Sequence, residues 1–305
     1  MCAVLIGECM VELSDAGGGL LAKAFAGDAY NTAVYLKRSA PDLEVQFLTV
    51  TGADPLSQAM RAAWRAEGVD DGAAFVDEDR TPGLYLIERD AAGERRFHYW
   101  RSASAARQWM HRLLAGGGDP LSGADLIYLS GISLAILPPE DQEQALLMLR
   151  SLKGKVGLIA FDPNLRPALW PSLDLARTVI EAAVGLADIV LPSADDLTLL
   201  YGEAAPQALT AKLWRLGARE IALTAGPDGC LVTTAQGRAA LPAPPPTAVI
   251  DTSGAGDSFN GAYLAARLAG ADPVAAAEAG LALAARVVTA PSAIVPAAVS
   301  HPQEP

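Results

Sequence analysis

Asp251-Thr252-Ser253-Gly254-Ala255-Gly256-Asp257-Ser258-Phe259 is the stretch on which the reading of this chain turns. A short apolar run, residues 248–250, precedes it, and a helical pattern over residues 260–270 follows. The glycines let the backbone turn tightly and let a ligand approach it closely. The helix that starts here directs its first, unpaired N–H groups and the positive end of its dipole at the turn. An anion belongs at such a place, and a phosphoryl group in transfer is one. Gly254, Ala255 and Gly256 would form the anion hole, with Asp257 beside it in the first helical turn. A carboxylate there can take a proton from a hydroxyl, a contribution of roughly 10²–10⁴-fold to a rate. Asp257 could equally be the plain acid of a helix N-terminus, and Gly-x-Gly-Asp alone does not separate the two.

N-terminal to this stretch, residues 126–129, 156–161, 189–191 and 221–224 read as short buried strands. Pro139–Leu152 and residues 173–185 and 195–201 read as the helices between them. This alternation predicts βαβ units, hence an α/β fold with a mainly parallel sheet covered on both faces. Active sites in such sheets lie at the carboxyl ends of the strands. The first hundred residues differ. Residues 83–89 and 94–101 flank Asp90-Ala91-Ala92-Gly93 and read as a β-hairpin. On its return strand Arg95, Phe97, Tyr99 and Arg101 share a face. An isolated hairpin is only marginally stable, so this one is expected to pack as a small β-sheet lid. The lid would draw on segments near 8–26 and 70–103 of one 305-residue domain.

Bulk properties narrow the function. Half the residues are hydrophobic (51%), enough for a large core, and aromatics are scarce at 6%. The net charge is −12 and the pI about 4.7, which argues against a nucleic-acid partner, since phosphate backbones need a basic footprint. An acidic chain binds an anion only by gathering cations locally, so arginines near a pocket carry information. Cys2, Cys9 and Cys230 have no paired spacing and read as reduced thiols. His98, His111 and His301 lack zinc-ligand spacing. The opening residues have no basic segment and too short an apolar run for a signal peptide, and no stretch has the ~20 apolar residues of a membrane span. A cytoplasmic protein is expected.

The segment 251–261 closely resembles the DTxGAGDxFxG signature of ribokinase-like (PfkB) carbohydrate kinases, and the likeness extends along most of the chain. Gly27-Asp28-Ala29-Tyr30-Asn31-Thr32-Ala33 resembles the family's sugar-binding segment, Gly52-Ala53-Asp54-Pro55 its GxD turn, and Thr224-Ala225-Gly226-Pro227-Asp228-Gly229 its nucleotide loop. Within the family the likeness is greatest to 2-keto-3-deoxygluconate kinases. It is carried by Gly7-Glu8-Cys9-Met10-Val11-Glu12-Leu13, Pro82-Gly83-Leu84-Tyr85, Gly93-Glu94-Arg95-Arg96-Phe97 with Tyr99-Trp100-Arg101, Asp162-Pro163-Asn164-Leu165-Arg166-Pro167 and Leu191-Pro192-Ser193-Ala194-Asp195-Asp196. The chain departs from the pattern at Ala26, where many relatives have Gly, at Ser253 for a common Thr, and at Thr224 for a frequent Lys. The family's Asn-x-x-Glu motif stands here as Ser193-Ala194-Asp195-Asp196.

The resemblance implies a ribokinase-like three-layer α/β/α sandwich and transfer of the γ-phosphoryl group of ATP to a sugar hydroxyl, with Asp257 as general base. It places Gly27, Asn31, Tyr85, Tyr99, Arg101 and Arg166 around the sugar. Asn164, Thr224, Gly226, Gly229, Gly254 and Gly256 would lie along the nucleotide. Mg²⁺ would arrive with ATP, and Asp196 would either meet it through water or merely cap its helix. Two arginines and two tyrosines in an acidic protein suit a carboxylate, which Arg grips bidentately. A neutral sugar such as fructose is the alternative substrate, and a non-catalytic sugar-binding protein a remote one. A dinucleotide-dependent dehydrogenase is disfavoured, because Gly7-Glu8-Cys9 stands where GxGxxG would follow the first strand. The exposed edge of the lid invites pairing of two chains, so a dimer through the lid is expected.

Overall fold

In the first strand, Val4 and Ile6 join one hydrophobic cluster while Ala3 and Leu5 join another, and all four are wholly buried. A strand buried on both faces belongs to the middle of a three-layer structure. The computed structural model describes residues 1–89, 95–116, 118–202 and 205–300; the expected hairpin turn at residues 90–93 lies outside the described residues. Its strands are β1 (Cys2–Ile6), β2 (Met10–Gly17), β3 (Leu20–Ala26), β4 (Glu44–Leu48), β5 (Val50–Gly52), β6 (Phe75–Asp77) and β7 (Leu84–Arg89). They continue with β8 (Arg95–Trp100), β9 (Leu126–Ser130), β10 (Leu158–Asp162), β11 (Ile189–Val190), β12 (Glu220–Thr224), β13 (Cys230–Thr234) and β14 (Gly237–Leu241).

Eight of these form the main sheet in the order β14-β13-β12-β11-β10-β9-β1-β4. The six from β12 to β4 run parallel, and β13 and β14 extend the sheet antiparallel. One face is covered by helices α1 (Asp28–Ser39), α2 (Pro55–Ala66), α9 (Ala255–Leu268) and α10 (Pro273–Val287). The other is covered by α3 (Trp109–Ala115), α4 (Gly131–Ala135), α5 (Pro139–Leu152), α6 (Leu173–Leu186), α7 (Ala194–Tyr201) and α8 (Pro206–Leu216). A short α11 (Ala297–Ser300) follows α10. The chain leaves β1 toward β4 on one side and later returns to β9 on the other. The carboxyl ends of β1 and β9 therefore flank the topological switch point, where open α/β sheets bind ligands.

A separate four-stranded sheet, ordered β3-β2-β7-β8, stands on the β1–α1 connection. Strands β7 and β8 pair antiparallel, as expected of a hairpin, with Tyr85 opposite Tyr99 and Ile87 opposite Phe97. The α1–α9 contact is close because of Gly261: a Cβ there would sit 2.7 Å from both Leu36 N and Tyr35 Cβ. The apolar run before the signature lies in neither sheet, and Val249 and Ile250 are 63% and 59% exposed. Among the described residues no helix is long and apolar enough to cross a membrane.

Candidate active site

The signature builds the turn expected of it. Gly254 is the N-cap of α9 in a left-handed conformation (φ 74°), and no side chain caps the helix. A Cβ on Gly254 would collide with the Ala293 carbonyl, so both backbone and packing demand glycine here. Asp251 fixes the approach by accepting from the backbone N–H groups of Ser253 and Ser292, each at 2.9 Å. The Ala255 N–H donates to the Thr252 carbonyl at 3.3 Å, and the N–H groups of Gly256 and Asp257 follow it at a helix N-terminus that no N-cap side chain closes.

Asp257 lies in the first turn of α9 and is half-buried. Asn31 Nδ2 donates to its Oδ2 at 2.8 Å, and Asn31 Oδ1 in turn accepts from the N–H of Gly27 at 3.2 Å. Gly27 precedes α1 and passes so close to the Glu8 carbonyl that no Cβ would fit. Burial first, and the negative charge of Asp28 second, push the Asp257 carboxyl up to about 7; the Asn31 hydrogen bond and the positive charge of Arg166 pull against them. A carboxyl group poised near neutrality is what proton transfer from a hydroxyl calls for.

The loop after β10 supplies the facing wall. Asn164 has φ 30°, unusual outside glycine, and is held through its N–H by Asp162 Oδ1 at 2.9 Å. Its Nδ2 donates to Asp28 Oδ2 at 2.9 Å. Asp162 also accepts from Asn260 Nδ2 at 2.9 Å, and burial drives its carboxyl well above the usual range, helped by Asp196, Asp257 and Asp28. Arg166 is 54% exposed at its side chain and lies 3.5 Å from Asp196. Asp196 accepts from the N–H of Leu165 at 3.2 Å, while its own N–H donates to the N-cap hydroxyl of Ser193. Burial raises its carboxyl, with Arg166 opposing. These contacts tie the Asp196 carboxylate to the loop, and the side chain that caps α7 is Ser193 rather than Asp196. Among the described residues no three acidic, His or Cys side chains gather as a metal cage.

The second sheet modifies one expectation. Arg101 is no free cation: it pairs with Glu8, which is 1% exposed at its side chain. The Tyr85 hydroxyl donates to Glu12, which is also buried. Tyr99 remains exposed, 5.7 Å from Tyr85 between ring centroids. A cavity of about 690 Å³ opens beneath this sheet, bordered by Glu12, Tyr85 and Phe97 on one side and Asp251, Ser253 and Ser292 on the other. Thr224 ends β12 with its hydroxyl on the Pro192 carbonyl at 3.3 Å. The turn beyond it places Gly226 and Gly229 in left-handed conformations (φ 53° and 95°).

An uncapped helix N-terminus, a carboxyl group raised beside it and an open sheet end match a phosphotransfer site, and residues 3–299 match the model of the pfkB family carbohydrate kinases. The chain belongs to that family. It is 40% identical over 298 residues to a 2-dehydro-3-deoxygluconokinase of Escherichia coli K12, covering 96% of each chain. Fructokinase-1 of Oryza sativa subsp. japonica is 31% identical over 86% of this chain and 81% of its own. The crystal structure of aminoimidazole riboside kinase from Salmonella enterica, complexed with aminoimidazole riboside and an ATP analog, superposes with a TM-score of 0.84 at 27% identity, covering 97% and 96% of the two chains.

This carbohydrate kinase thus brings Gly27, Asn31, Asn164, Arg166 and Asp257 to the switch-point end of the main sheet, with Arg101, Tyr85 and Tyr99 on the second sheet. Asp28, Glu8 and Glu12 stand inside the segments quoted above but had no role assigned to them. Their signal was present: Glu8 and Glu12 interrupt an otherwise apolar stretch over residues 3–13, and buried acids require partners.

Proposed function

We propose that this kinase phosphorylates a 2-keto-3-deoxy sugar acid, converting 2-keto-3-deoxygluconate to its 6-phosphate at the expense of ATP. Asp257 takes the proton of the 6-hydroxyl as its oxygen attacks the γ-phosphorus. The bond from that phosphorus to the β,γ-bridging oxygen breaks, and ADP leaves. The N–H groups from Gly254 to Asp257 stabilise the charge on the transferring group. Gly226 and Gly229 line the nucleotide's path with Thr224 and Asn164. These residues suit a nucleotide: the α9 terminus lacks a side-chain cap, and a Cβ on Gly256 would meet no atom of the chain within 4 Å. Packing therefore does not require glycine at 256, whereas close approach of a phosphoryl group does. Mg²⁺ would supply charge neutralisation at the phosphates when bound, keeping several waters, and Asp196 would meet it only through water.

The observation that carries the acid substrate is Arg166, a half-exposed guanidinium whose charge acts directly on Asp257. In a chain of net charge −12, such a cation at the reacting centre is suited to a substrate carboxylate. The E. coli relative, by its name, supports the same substrate. Arg101, already paired with Glu8, favours the neutral-sugar reading to that extent. An ATP-coupled screen of keto-deoxy sugar acids against neutral hexoses decides between them. A preference for the acid is expected; preference for fructose over every acid would replace this reading. We also propose that the second sheet is a lid over the sugar and the contact of a dimer.

A further inference from the structure

Asp28 occupies the first turn of α1, three residues before Asn31, so both face the same way from that turn. An acid at this position ordinarily does no more than favour its own helix dipole. Here its carboxylate is engaged elsewhere: Oδ2 accepts from Asn164 Nδ2 at 2.9 Å, across the cleft on the loop after β10. Asn164 is itself held rigidly. It is 5% exposed, it keeps a left-handed φ of 30°, and its N–H is bound to Asp162. The strand end thus pins Asp28 in place while Asn31, from the same turn, pins Asp257.

We propose that Asp28 is a positioning residue for phosphoryl transfer: a second carboxylate, fixed by Asn164, whose negative charge faces Asp257 and makes it a competent base. This rests on the reading of Asp257 as the base and extends it to a residue outside the signature. Two like charges brought together in a partly buried site cost stability, and such arrangements are kept where a proton must move.

The other charged and titratable groups around Asp257 can be named. Arg166 faces it from the loop after β10 and Asp162 from the end of β10; Tyr128 lies on β9 and Tyr35 on α1. Asp251 sits before α9 and is committed to Ser253 and Ser292. Arg166 opposes the effect of Asp28, and Asp28 is the neighbouring charge that raises the Asp257 carboxyl most.

The test is the pH dependence of kcat/KM in wild type, Asp28→Asn, Asn164→Ala and Asp257→Asn. Asn at 28 can still accept from Asn164, so Asp28→Asn removes charge and little else. Its acid limb is expected to move to lower pH by at least about half a unit, while the plateau falls several-fold as Asp257 becomes a weaker base. Asn164→Ala frees Asp28 and shifts the limb the same way by less; it also carries the test should Asp28→Asn fail to fold. Ionisation of ATP gives a limb that no variant moves. A lowered plateau with an unmoved limb in both variants would overturn the inference and make Asp28 structural. Turnover surviving in Asp257→Asn would instead overturn the assignment of the base, whatever Asp28 does.

Discussion

Asn31 Nδ2 and Asp257 Oδ2 lie 2.8 Å apart, a hydrogen bond between residues 226 positions apart in sequence. It joins the first turn of α1 to the first turn of α9, and it favours the ionised form of the carboxylate that burial and Asp28 disfavour. Asn31→Ala removes the favourable contribution, so the Asp257 carboxyl rises further and the acid limb of kcat/KM moves to higher pH. Activity at pH 7 should fall more than activity at pH 9. Equal losses at both pH values would confine Asn31 to substrate contact.

Asp257→Asn should abolish turnover while sparing nucleotide binding, because the proton acceptor and the anion hole are separate groups. A loss of at least ~10²-fold in kcat is expected, with ATP affinity by calorimetry little changed. The same variant should be more stable than wild type. Burial and Asp28 push the folded carboxyl up to about 7 from an ordinary value of 3.8, so between those values the folded chain holds a proton that the unfolded chain has lost. Stability therefore declines as pH rises through that window, and the penalty is complete above it. Asp257→Asn should melt a few degrees higher at pH 8, with the advantage gone near pH 3.5. An equal shift at both pH values would contradict a raised Asp257 carboxyl.

Much of this fold was legible because its parallel strands are buried on both faces and so appear as continuous apolar runs. Residues 126–129 and 221–224 fall inside β9 and β12 almost to the residue. The signature was legible as well, since Gly254 and the start of α9 are local. Long-range pairing was not. Spacing could not reveal that Glu8 lies against Arg101, 93 residues away, or that Asn164 reaches Asp28. Arg101 was placed at the sugar without Glu8, because that partner is fixed by how the second sheet sits over β1, a tertiary fact.

The Arg101–Glu8 pair assigns different weights to the two arginines. Assayed at pH 9, where Asp257 is ionised with or without Arg166, Arg166→Ala should reduce kcat/KM for the sugar acid by about 30-fold or more and barely change weak activity on a neutral ketose. Arg101→Ala strands the buried Glu8 carboxylate, so it should lower thermal stability and depress both substrates together. Equal losses for acid and ketose in Arg166→Ala would move the carboxylate contact away from Arg166.

Apart from Phe97 and Tyr99, which stand on the proposed sugar side, the second sheet exposes Leu20, Leu21 and Trp100, apolar surface that a partner chain would cover. Sedimentation should report a dimer at micromolar concentration. Trp100→Glu together with Leu21→Glu should shift it to monomer. A wild-type monomer would remove the dimer contact and leave the kinase assignment standing.

Two glycines of the signature should respond in opposite ways to alanine. Gly254 has a left-handed backbone and lies against the Ala293 carbonyl, so Gly254→Ala must strain the turn and displace the 291–293 loop. The conformational strain alone costs on the order of 1–3 kcal/mol, and both melting temperature and activity should drop. Gly256 lies inside the first turn of α9, where a methyl group meets nothing of the chain within 4 Å. Alanine is the better helix former by about 1 kcal/mol, so Gly256→Ala should melt at the wild-type temperature or slightly above. Its methyl group would nevertheless stand at the helix end proposed to receive the phosphoryl group, and kcat should fall by at least ~10-fold with the fold intact. A stable and fully active Gly256→Ala enzyme would mean that phosphoryl transfer takes place away from this helix N-terminus, leaving Gly254 a purely structural glycine.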